Sequence, residues 1–122
     1  MNNELTGKII GLAINVHREL GPGLLESAYE EALAYELNAA GLHFQRQQPL
    51  PVAYKGHPLN CNYQLDLIVE NQVVIELKSV ERLLYIHQAQ LLTYLKLSKI
   101  PLGLLINFNE AVLKQGIKRL VV

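Results

Sequence analysis

The period of the hydrophobic pattern changes at Gly41, and this change constrains the fold more than any other feature of the sequence. In residues 4–20 apolar side chains recur every three or four positions, which is typical of an amphipathic helix. The segment Gly21-Pro22-Gly23 ends this helix, because glycine favours a helix C-terminus and proline cannot continue the hydrogen-bond ladder. A second helix is expected over residues 24–40, with Leu25 and Tyr29 among its inward-facing side chains.

After Gly41 the pattern alternates with period two, which predicts strands over residues 44–48, 52–54, 63–69 and 73–80, with a turn at Lys55-Gly56. Alternation within the third of these strands has a direct consequence for its side chains. Leu65 and Leu67 should face one side of the sheet, whereas Asp66 and Ile68 should face the other.

The last third of the chain predicts a helix between two buried strands. Residues 86–97 fit a helix, and Pro101 separates them from a continuous apolar run at 102–106 that is typical of a fully buried strand. The helix is then a crossover connection, followed by a polar bend at 107–110 and a last strand at 118–122. Together these elements predict one α/β domain over residues 1–122, with a mixed central sheet flanked by helices.

Composition limits the classes of function. Eleven basic residues balance eleven acidic ones, so a nucleic-acid partner would be held by a local patch and not by a general positive field. Cys61 is the sole cysteine, which excludes an internal disulfide and a cysteine zinc cluster. The 50% hydrophobic share argues against disorder and leaves apolar surface that a homo-oligomer would use. Without a leader-like N-terminus or an apolar run near the roughly 18 residues of a membrane span, a soluble, cytoplasmic protein is expected.

Asp66 lies ten residues before Glu76, and Lys78 follows two positions later. Phosphodiester hydrolysis requires an attacking water, a counter-charge for phosphorus and a stabilised leaving oxygen, all of which a hard divalent cation provides. Mg²⁺ takes oxygen ligands and often only one or two protein carboxylates, here Asp66 and Glu76, with the carbonyl of Leu77 completing the shell. Lys78 shares a strand face with Glu76 and would orient the water or stabilise charge on the phosphate. The same residues also suit an ordinary solvated strand face, and spacing alone favours that interpretation.

Strand register sets a condition for this site. Residues directly opposed in an antiparallel hairpin share a face, so Asp66 lies beside Glu76 only if the connection holds an odd number of residues. A two-residue turn would oppose Asp66 to Leu77 instead. We therefore predict a three-residue loop, or a bulge, at residues 70–72, with Asn71 in the left-handed conformation.

The stretch HRELGPGLLESAY at residues 17–29 is the most distinctive motif, and the blocks LDLIVE at 65–70, VIELK at 74–78 and LGLLINF at 102–108 follow it. In order and spacing these blocks resemble the GxxExxY proteins, a family of the PD-(D/E)XK nuclease superfamily, over nearly the whole chain. The resemblance implies a restriction-endonuclease-like core and metal-dependent hydrolysis of nucleic acid. It also implies that Glu26 adds a metal ligand, directly or through water. A carboxylate in a first helical turn also stabilises the helix dipole, so both interpretations of Glu26 stay open.

The segment QLLTY at residues 90–94 is similar to the QxxxY element of RecB-like members of the superfamily. By this resemblance Gln90 orients Lys78, a metal-bound water or the substrate phosphate. Tyr94 and His87 lie on the same helical stripe and are predicted, with His17, to lie at the substrate. The histidines show no metal-ligand spacing. Tyr94, like Tyr29, is also expected to pack with its hydroxyl bonded to a partner.

These observations predict a nuclease that uses Mg²⁺ or Mn²⁺ and acts on DNA more than on RNA. The leading alternative is a non-enzymatic module of the same fold that binds nucleic acid or a protein partner and retains the acidic cluster for structure. A third interpretation is a purely structural subunit. The chain carries no evident element for selecting a substrate, so selectivity would come from a homo-oligomer or another protein.

Overall fold

Three α-helices and seven β-strands make up the part of the chain that the computed structural model describes, residues 2–122. The helices are α1 (Asn3–Leu20), α2 (Glu26–Ala39) and α3 (Tyr85–Ser98). The strands are β1 (Phe44–Leu50), β2 (Ala53–Tyr54), β3 (His57–Pro58), β4 (Tyr63–Val69), β5 (Val73–Lys78), β6 (Leu102–Asn107) and β7 (Ile117–Val121). A short 3₁₀ helix, Leu113–Gly116, precedes β7. None of the helices in this part of the chain is long and apolar enough to cross a membrane.

Five strands form one mixed sheet in the order β1-β4-β5-β6-β7. The pair β5 and β6 is parallel and the other neighbours are antiparallel. Parallel neighbours need a crossover, and α3 supplies it between β5 and β6. The predicted α/β class, mixed sheet and crossover helix are therefore confirmed.

The short strands β2 and β3 pair only with each other and form a separate hairpin. Its turn is Lys55-Gly56, as predicted, with φ of 49° and 80° at the two residues. Positive φ at both central residues is the geometry that two-residue hairpins favour. The sequence did not predict β3, because two residues that include Pro58 do not form an alternating pattern.

Helices cover both faces of the sheet. The helices α1 and α2 pack on one face, where the buried side chains include Ile9, Ala13, Leu33, Ile75 and Leu104. The helix α3 packs on the other face, with Leu91, Leu95, Ile68, Val74 and Leu105 buried there. Both layers of helices are needed because β5 and β6 are apolar on both sides.

Two predicted side-chain positions are wrong. Leu25 does not face inward: it is 77% exposed, because its backbone is still extended and the helix begins only at Glu26. Leu65 does not share a face with Leu67 but packs with Ile68 on the α3 side. Between them the pairing of β4 with β1 is interrupted, and Gln47 on β1 has a φ of 47°, so strict alternation does not hold there.

Tyr29 fixes the loop that leads into α2. Its hydroxyl donates to the carbonyl of Gly21 at 2.6 Å and accepts from the backbone N–H of Leu24 at 3.1 Å. Its ring is fully buried and stacks on Phe108, with ring centroids 4.4 Å apart and planes 11° apart. The expectation that Tyr29 packs with a bonded hydroxyl is confirmed, and the residue sets where Glu26 begins its helix.

Replacement of Tyr29 by phenylalanine is expected to lower the free energy of unfolding by about 1–2 kcal/mol, because the stacked ring remains but two hydrogen bonds are lost. Urea unfolding of Tyr29→Phe beside wild type measures this. Tyr35→Phe is the matched control, since Tyr35 is 74% exposed on the same helix. Equal loss in both variants would mean that the hydroxyl of Tyr29 does not hold the loop.

Candidate active site

The β4–β5 hairpin brings the predicted acidic residues together. Its connection is the three-residue loop 70–72, in which Glu70 and Asn71 both have a φ of 54°. The register pairs Val69 with Val73 and continues to Leu67 and Ile75, so the next opposed positions are residues 66 and 76. The predicted loop length and the left-handed Asn71 are confirmed. The left-handed conformation of Glu70 was not predicted.

Side-chain hydrogen bonds join Asp66 and Glu76 across the two strands. The backbone N–H of Leu77 donates to Oδ2 of Asp66 at 2.8 Å, and the backbone N–H of Asp66 donates to Oε1 of Glu76 at 3.1 Å. Regular backbone pairing of β4 with β5 ends at Leu67 and Ile75. The two carboxylates therefore continue the hairpin where the backbone ladder stops, and each keeps its other oxygen for a further partner.

The two carboxylates lie in an environment that opposes their negative charge. Burial, followed by the charge of Asp66, raises the pKa of Glu76 from 4.5 to about 8, and only 6% of Glu76 is exposed. Burial also raises the pKa of Asp66, against the hydrogen bonds from Leu77 and Gln47 that lower it. The positive charge of Lys78 lowers both pKa values by a smaller amount. A bound cation would remove the repulsion and favour the ionised pair.

Lys78 is half-buried at the end of β5, next to the acidic pair. Its carbonyl accepts from the backbone N–H of Phe108 at 2.9 Å, which ties the strand end to the loop after β6. The buried side chain of Asn107 holds the following segment, since it accepts from the N–H of Val80 at 3.0 Å and donates to the carbonyl of Val80 at 2.9 Å. The end of β6 therefore fixes the backbone that carries Lys78 and the residues that follow it.

A cleft of about 440 Å³ opens between the start of α2 and the strands; it is lined by Glu26, Ser27, Glu30, Gln47, Asp66 and Leu77. Glu26 lies at its edge, where Oε2 accepts from the backbone N–H of Ser79 at 3.3 Å. The carboxylate therefore contacts the segment after β5, and α2 has no side-chain cap hydrogen bond. This position places Glu26 in the same cleft as Asp66.

Sequence reasoning missed Glu30 and Gln47. The side-chain amide of Gln47 donates to Oε1 of Glu30 at 2.5 Å and, over a longer 3.4 Å, to Oδ1 of Asp66. Glu30 is 8% exposed and also accepts from Nε of Arg46 at 3.0 Å. These contacts hold Asp66 from the α2 side. The paired residues are 16, 17 and 19 positions apart in the chain, and no local pattern in the sequence predicts such pairs.

Gln90 and Tyr94 lie near the acidic pair but on the α3 side of the sheet. The amide of Gln90 donates to the hydroxyl of Tyr94 at 3.0 Å, and Tyr94 is 8% exposed. Burial raises the pKa of Tyr94, and the charge of Glu76 raises it further. The expectation that the Tyr94 hydroxyl finds a partner is confirmed. The structure gives Gln90 this contact with Tyr94 and records none with Lys78 within residues 2–122.

His87 and His17, which were predicted to contact the substrate, both make contacts within the protein. Nδ1 of His87 accepts from the backbone N–H of Leu84 at 2.9 Å and so closes the first turn of α3. His17 is buried at the end of α1, with Nε2 2.7 Å from the carbonyl oxygen of Glu110. It lines a separate groove of about 630 Å³ between α1 and the 3₁₀ helix, whereas the cleft with Asp66 has other walls.

The donor set suits a hard cation that relies on water and substrate for most of its ligands. No group of three or more His, Cys, Asp or Glu side chains within residues 2–122 lies close enough together to hold a metal. Mg²⁺ usually keeps several waters and takes one or two carboxylates, which Asp66 and Glu76 provide. The backbone of Leu77 lies beside Asp66, since its N–H donates to Oδ2 of Asp66, and Leu77 lines the same cleft. The residues present therefore fit a site of this kind.

Comparison with known proteins gives one match. The sequence profile of the PD-(D/E)XK nuclease superfamily matches residues 3–120. No curated protein matches the chain, and no solved structure does. The match spans almost the whole sequence and confirms the superfamily to which the motifs pointed. The narrower GxxExxY assignment stays a prediction.

Proposed function

The chain belongs to the PD-(D/E)XK nuclease superfamily, and from this membership we propose that it hydrolyses phosphodiester bonds of nucleic acid with a divalent metal ion. Nucleases of the superfamily generally use divalent metal ions. One observation carries the proposal: Asp66 and Glu76 are opposed across a hairpin whose three-residue loop puts them in register, with Lys78 two positions further along the same strand. Such a juxtaposition of buried acids has a cost in stability, which a catalytic role would explain.

In this proposal Asp66, Glu76 and the carbonyl of Leu77 hold the cation, and Glu26 contributes through a bound water, since the three acids do not form one cluster within residues 2–122. The cation supplies positive charge to the phosphate and lowers the pKa of a water molecule. Lys78 donates to the attacking water or to the phosphate oxygens, where negative charge develops. Its position beside both carboxylates supports this role.

Residues outside the cation site position the reactants. Gln47 and Glu30 hold Asp66 in place through the contacts described above. Gln90 orients the substrate phosphate. Its amide contacts Tyr94, which lies near the acidic pair. Tyr94 contacts the substrate near the acidic pair. His87 would contact it from the start of α3, and His17 would do so only away from the cation site, because it lines the separate groove. A preference for DNA over RNA, the use of Mg²⁺ or Mn²⁺ and a cytoplasmic location belong to this proposal as well.

A second candidate function is binding without catalysis. The burial of Glu76, with 6% of its surface exposed, favours this alternative because a buried carboxylate also serves to hold two strands together. The same fold would then bind nucleic acid or a protein partner. The two functions differ in whether any substrate is cut, so one assay separates them.

A cleavage assay on single- and double-stranded DNA and RNA, in Mg²⁺, Mn²⁺ or EDTA, tests the proposal. Wild type should cut at least one substrate with either cation and none in EDTA. Asp66→Asn should cut about 100-fold more slowly or not at all, because it removes a charge that holds the cation while keeping an acceptor for Leu77. Glu19→Gln removes an exposed carboxylate on α1 and should cut like wild type.

Two results would contradict the nuclease proposal. One is a folded wild type that binds Mn²⁺ and cuts none of the substrates, which would favour the binding module. The other is cleavage that Asp66→Asn leaves unchanged, which would place any catalytic site elsewhere in the chain.

A further inference from the structure

A pocket on the α3 side of the sheet has a chemistry that the cation site does not use. We call it the tyrosine pocket; its volume is about 270 Å³ and it is lined by Val52, Tyr63, Gln90, Thr93, Tyr94 and Leu97. We propose that the tyrosine pocket binds one nucleobase of an unpaired nucleic-acid strand next to the bond that is cut. The inference rests on the proposed function for its position, but it concerns the substrate class and has a binding test of its own.

Two tyrosines give the pocket an aromatic wall. Tyr63 is 44% exposed, and its ring lies edge-on to Tyr94 with centroids 6.1 Å apart and planes at 61°. Tyr94 is held by its contact with Gln90, so it supports Tyr63 while leaving part of that ring to solvent. An exposed aromatic face is the common element of sites that stack bases of single strands, because every base has a π-face.

Polar groups at the rim suit the edge of a base. Gln90 uses one amide N–H on Tyr94, which leaves its carbonyl oxygen and its second N–H for another partner. The hydroxyl of Thr93, an exposed residue, both donates and accepts. A flat ring stacked on Tyr63 would meet these groups with its hydrogen-bonding edge. The pocket is also too small for a drug-sized ligand, for which typical volumes begin at about 300 Å³.

The position of the pocket links it to the cation site. Tyr63 and Asp66 are three residues apart on β4, which is about 10 Å along a strand. Tyr94 lies close enough to Glu76 for that carboxylate to raise its pKa. A nucleotide whose base occupies the pocket would therefore have its neighbouring phosphate near Asp66 and Glu76.

The β2–β3 hairpin places a lysine where it would contact the bound nucleic-acid strand. Val52 lines the pocket, and its carbonyl accepts from the backbone N–H of Leu59 at 2.8 Å, which closes the base of the hairpin. Lys55 lies in the turn, with Nζ 5.5 Å from the centroid of the Tyr54 ring. A strand leaving the pocket along this hairpin would meet an aromatic ring and a positive charge, which together bind single strands.

A base that is paired within a duplex does not fit the tyrosine pocket unless it leaves the double helix. A base within a duplex is stacked on both faces, so it reaches a pocket only by flipping out of the helix at a cost of a few kcal/mol. An unpaired base enters without that cost. The tyrosine pocket therefore predicts that single strands bind more tightly than duplexes of the same sequence.

Fluorescence anisotropy with labelled single-stranded and duplex DNA and single-stranded RNA tests the inference, in EDTA so that binding is measured without cleavage. Tyr63→Ala should weaken single-strand binding about tenfold, since stacking on an aromatic side chain is worth about 1–3 kcal/mol per base. Tyr63→Phe should bind like wild type because it keeps the ring. Tyr35→Ala, which removes another exposed tyrosine on α2, should also bind like wild type.

The outcomes separate this inference from the nuclease proposal. If Tyr63→Ala, shown by circular dichroism to be folded, binds single strands as tightly as wild type, the base site is wrong even if the protein is a nuclease. Tighter binding of duplexes than of single strands, or no binding at all, also overturns it. If Tyr63→Ala alone loses single-strand binding while wild type cuts nothing, the base site stands and the nuclease proposal fails.

Discussion

Lys78→Met is expected to slow nucleic-acid cleavage by about 100- to 1000-fold, the usual effect of removing one group that stabilises charge in a transition state. Methionine keeps the aliphatic stem of the half-buried lysine, so the packing at the end of β5 is retained. The ammonium does not serve as a cation ligand. The variant should therefore bind Mn²⁺ with wild-type affinity or better, because it removes a positive charge beside the carboxylates.

Single-turnover cleavage and Mn²⁺ titration, measured on the same preparations, check this prediction. Lys8→Met is the matched control, since Lys8 is exposed on α1, and it should be unchanged in both measurements. A Lys78→Met enzyme that cuts at the wild-type rate would exclude Lys78 from the chemistry. Loss of Mn²⁺ binding along with cleavage would mean that Lys78 organises the site and does not act on the substrate.

Glu76→Gln is expected to stabilise the metal-free protein at alkaline pH, by on the order of 5 kcal/mol at pH 9. The folded state raises the pKa of Glu76 from 4.5 to about 8, so the folded protein binds the proton more tightly than the unfolded chain does. Stability of wild type therefore falls as pH rises from about 4.5 to about 8. Glutamine keeps the acceptor for the N–H of Asp66 and carries no charge, so it avoids this loss.

Urea unfolding in EDTA from pH 5 to pH 9 measures the effect. The two proteins should have nearly equal stability at pH 5 and diverge as pH rises. Glu19→Gln should follow wild type throughout, because Glu19 is exposed. A difference between Glu76→Gln and wild type that does not depend on pH would show that the buried carboxylate does not titrate in this range.

Added Mg²⁺ gives the same pair of proteins a second test. When the free Mg²⁺ concentration is ten times its dissociation constant, binding to the folded state alone adds about 1.4 kcal/mol to the free energy of unfolding of wild type. Glu76→Gln lacks one of the two opposed carboxylates and should gain much less. Equal gains would exclude Glu76 as a ligand.

The parts of the fold that follow from local rules were predictable from the sequence. The recurrence of apolar residues every three or four positions predicted an amphipathic helix over residues 4–20, and α1 spans Asn3–Leu20, because a helix repeats its faces regularly. The three-residue loop before β5 followed from parity alone, since an even loop would have put Asp66 opposite Leu77. Both predictions depend on counting residues, and tertiary contacts do not change the count.

The parts that depend on distant contacts were not predictable. Gln47 adopts positive φ, unusual for this residue type, where its amide reaches Glu30 and Asp66. The face of Leu65 was wrong because that same interruption breaks the alternation of β4. Neither Gln47 nor Glu30 belongs to a motif, so their place at the site appears only when α2 packs beside β1.

The acidic residues of the site also hold the sheet together, and this has a consequence for how such a protein can change over evolutionary time. A descendant that gave up catalysis would still need side-chain oxygen acceptors at positions 66 and 76 to join β4 to β5, because two backbone hydrogen bonds are accepted there. The ammonium of Lys78 has no hydrogen bond or ion pair recorded within residues 2–122, so the fold does not retain it. A lineage without catalysis would therefore keep an oxygen acceptor at positions 66 and 76, which Asn and Gln also provide, whereas the residue at position 78 would be free to vary.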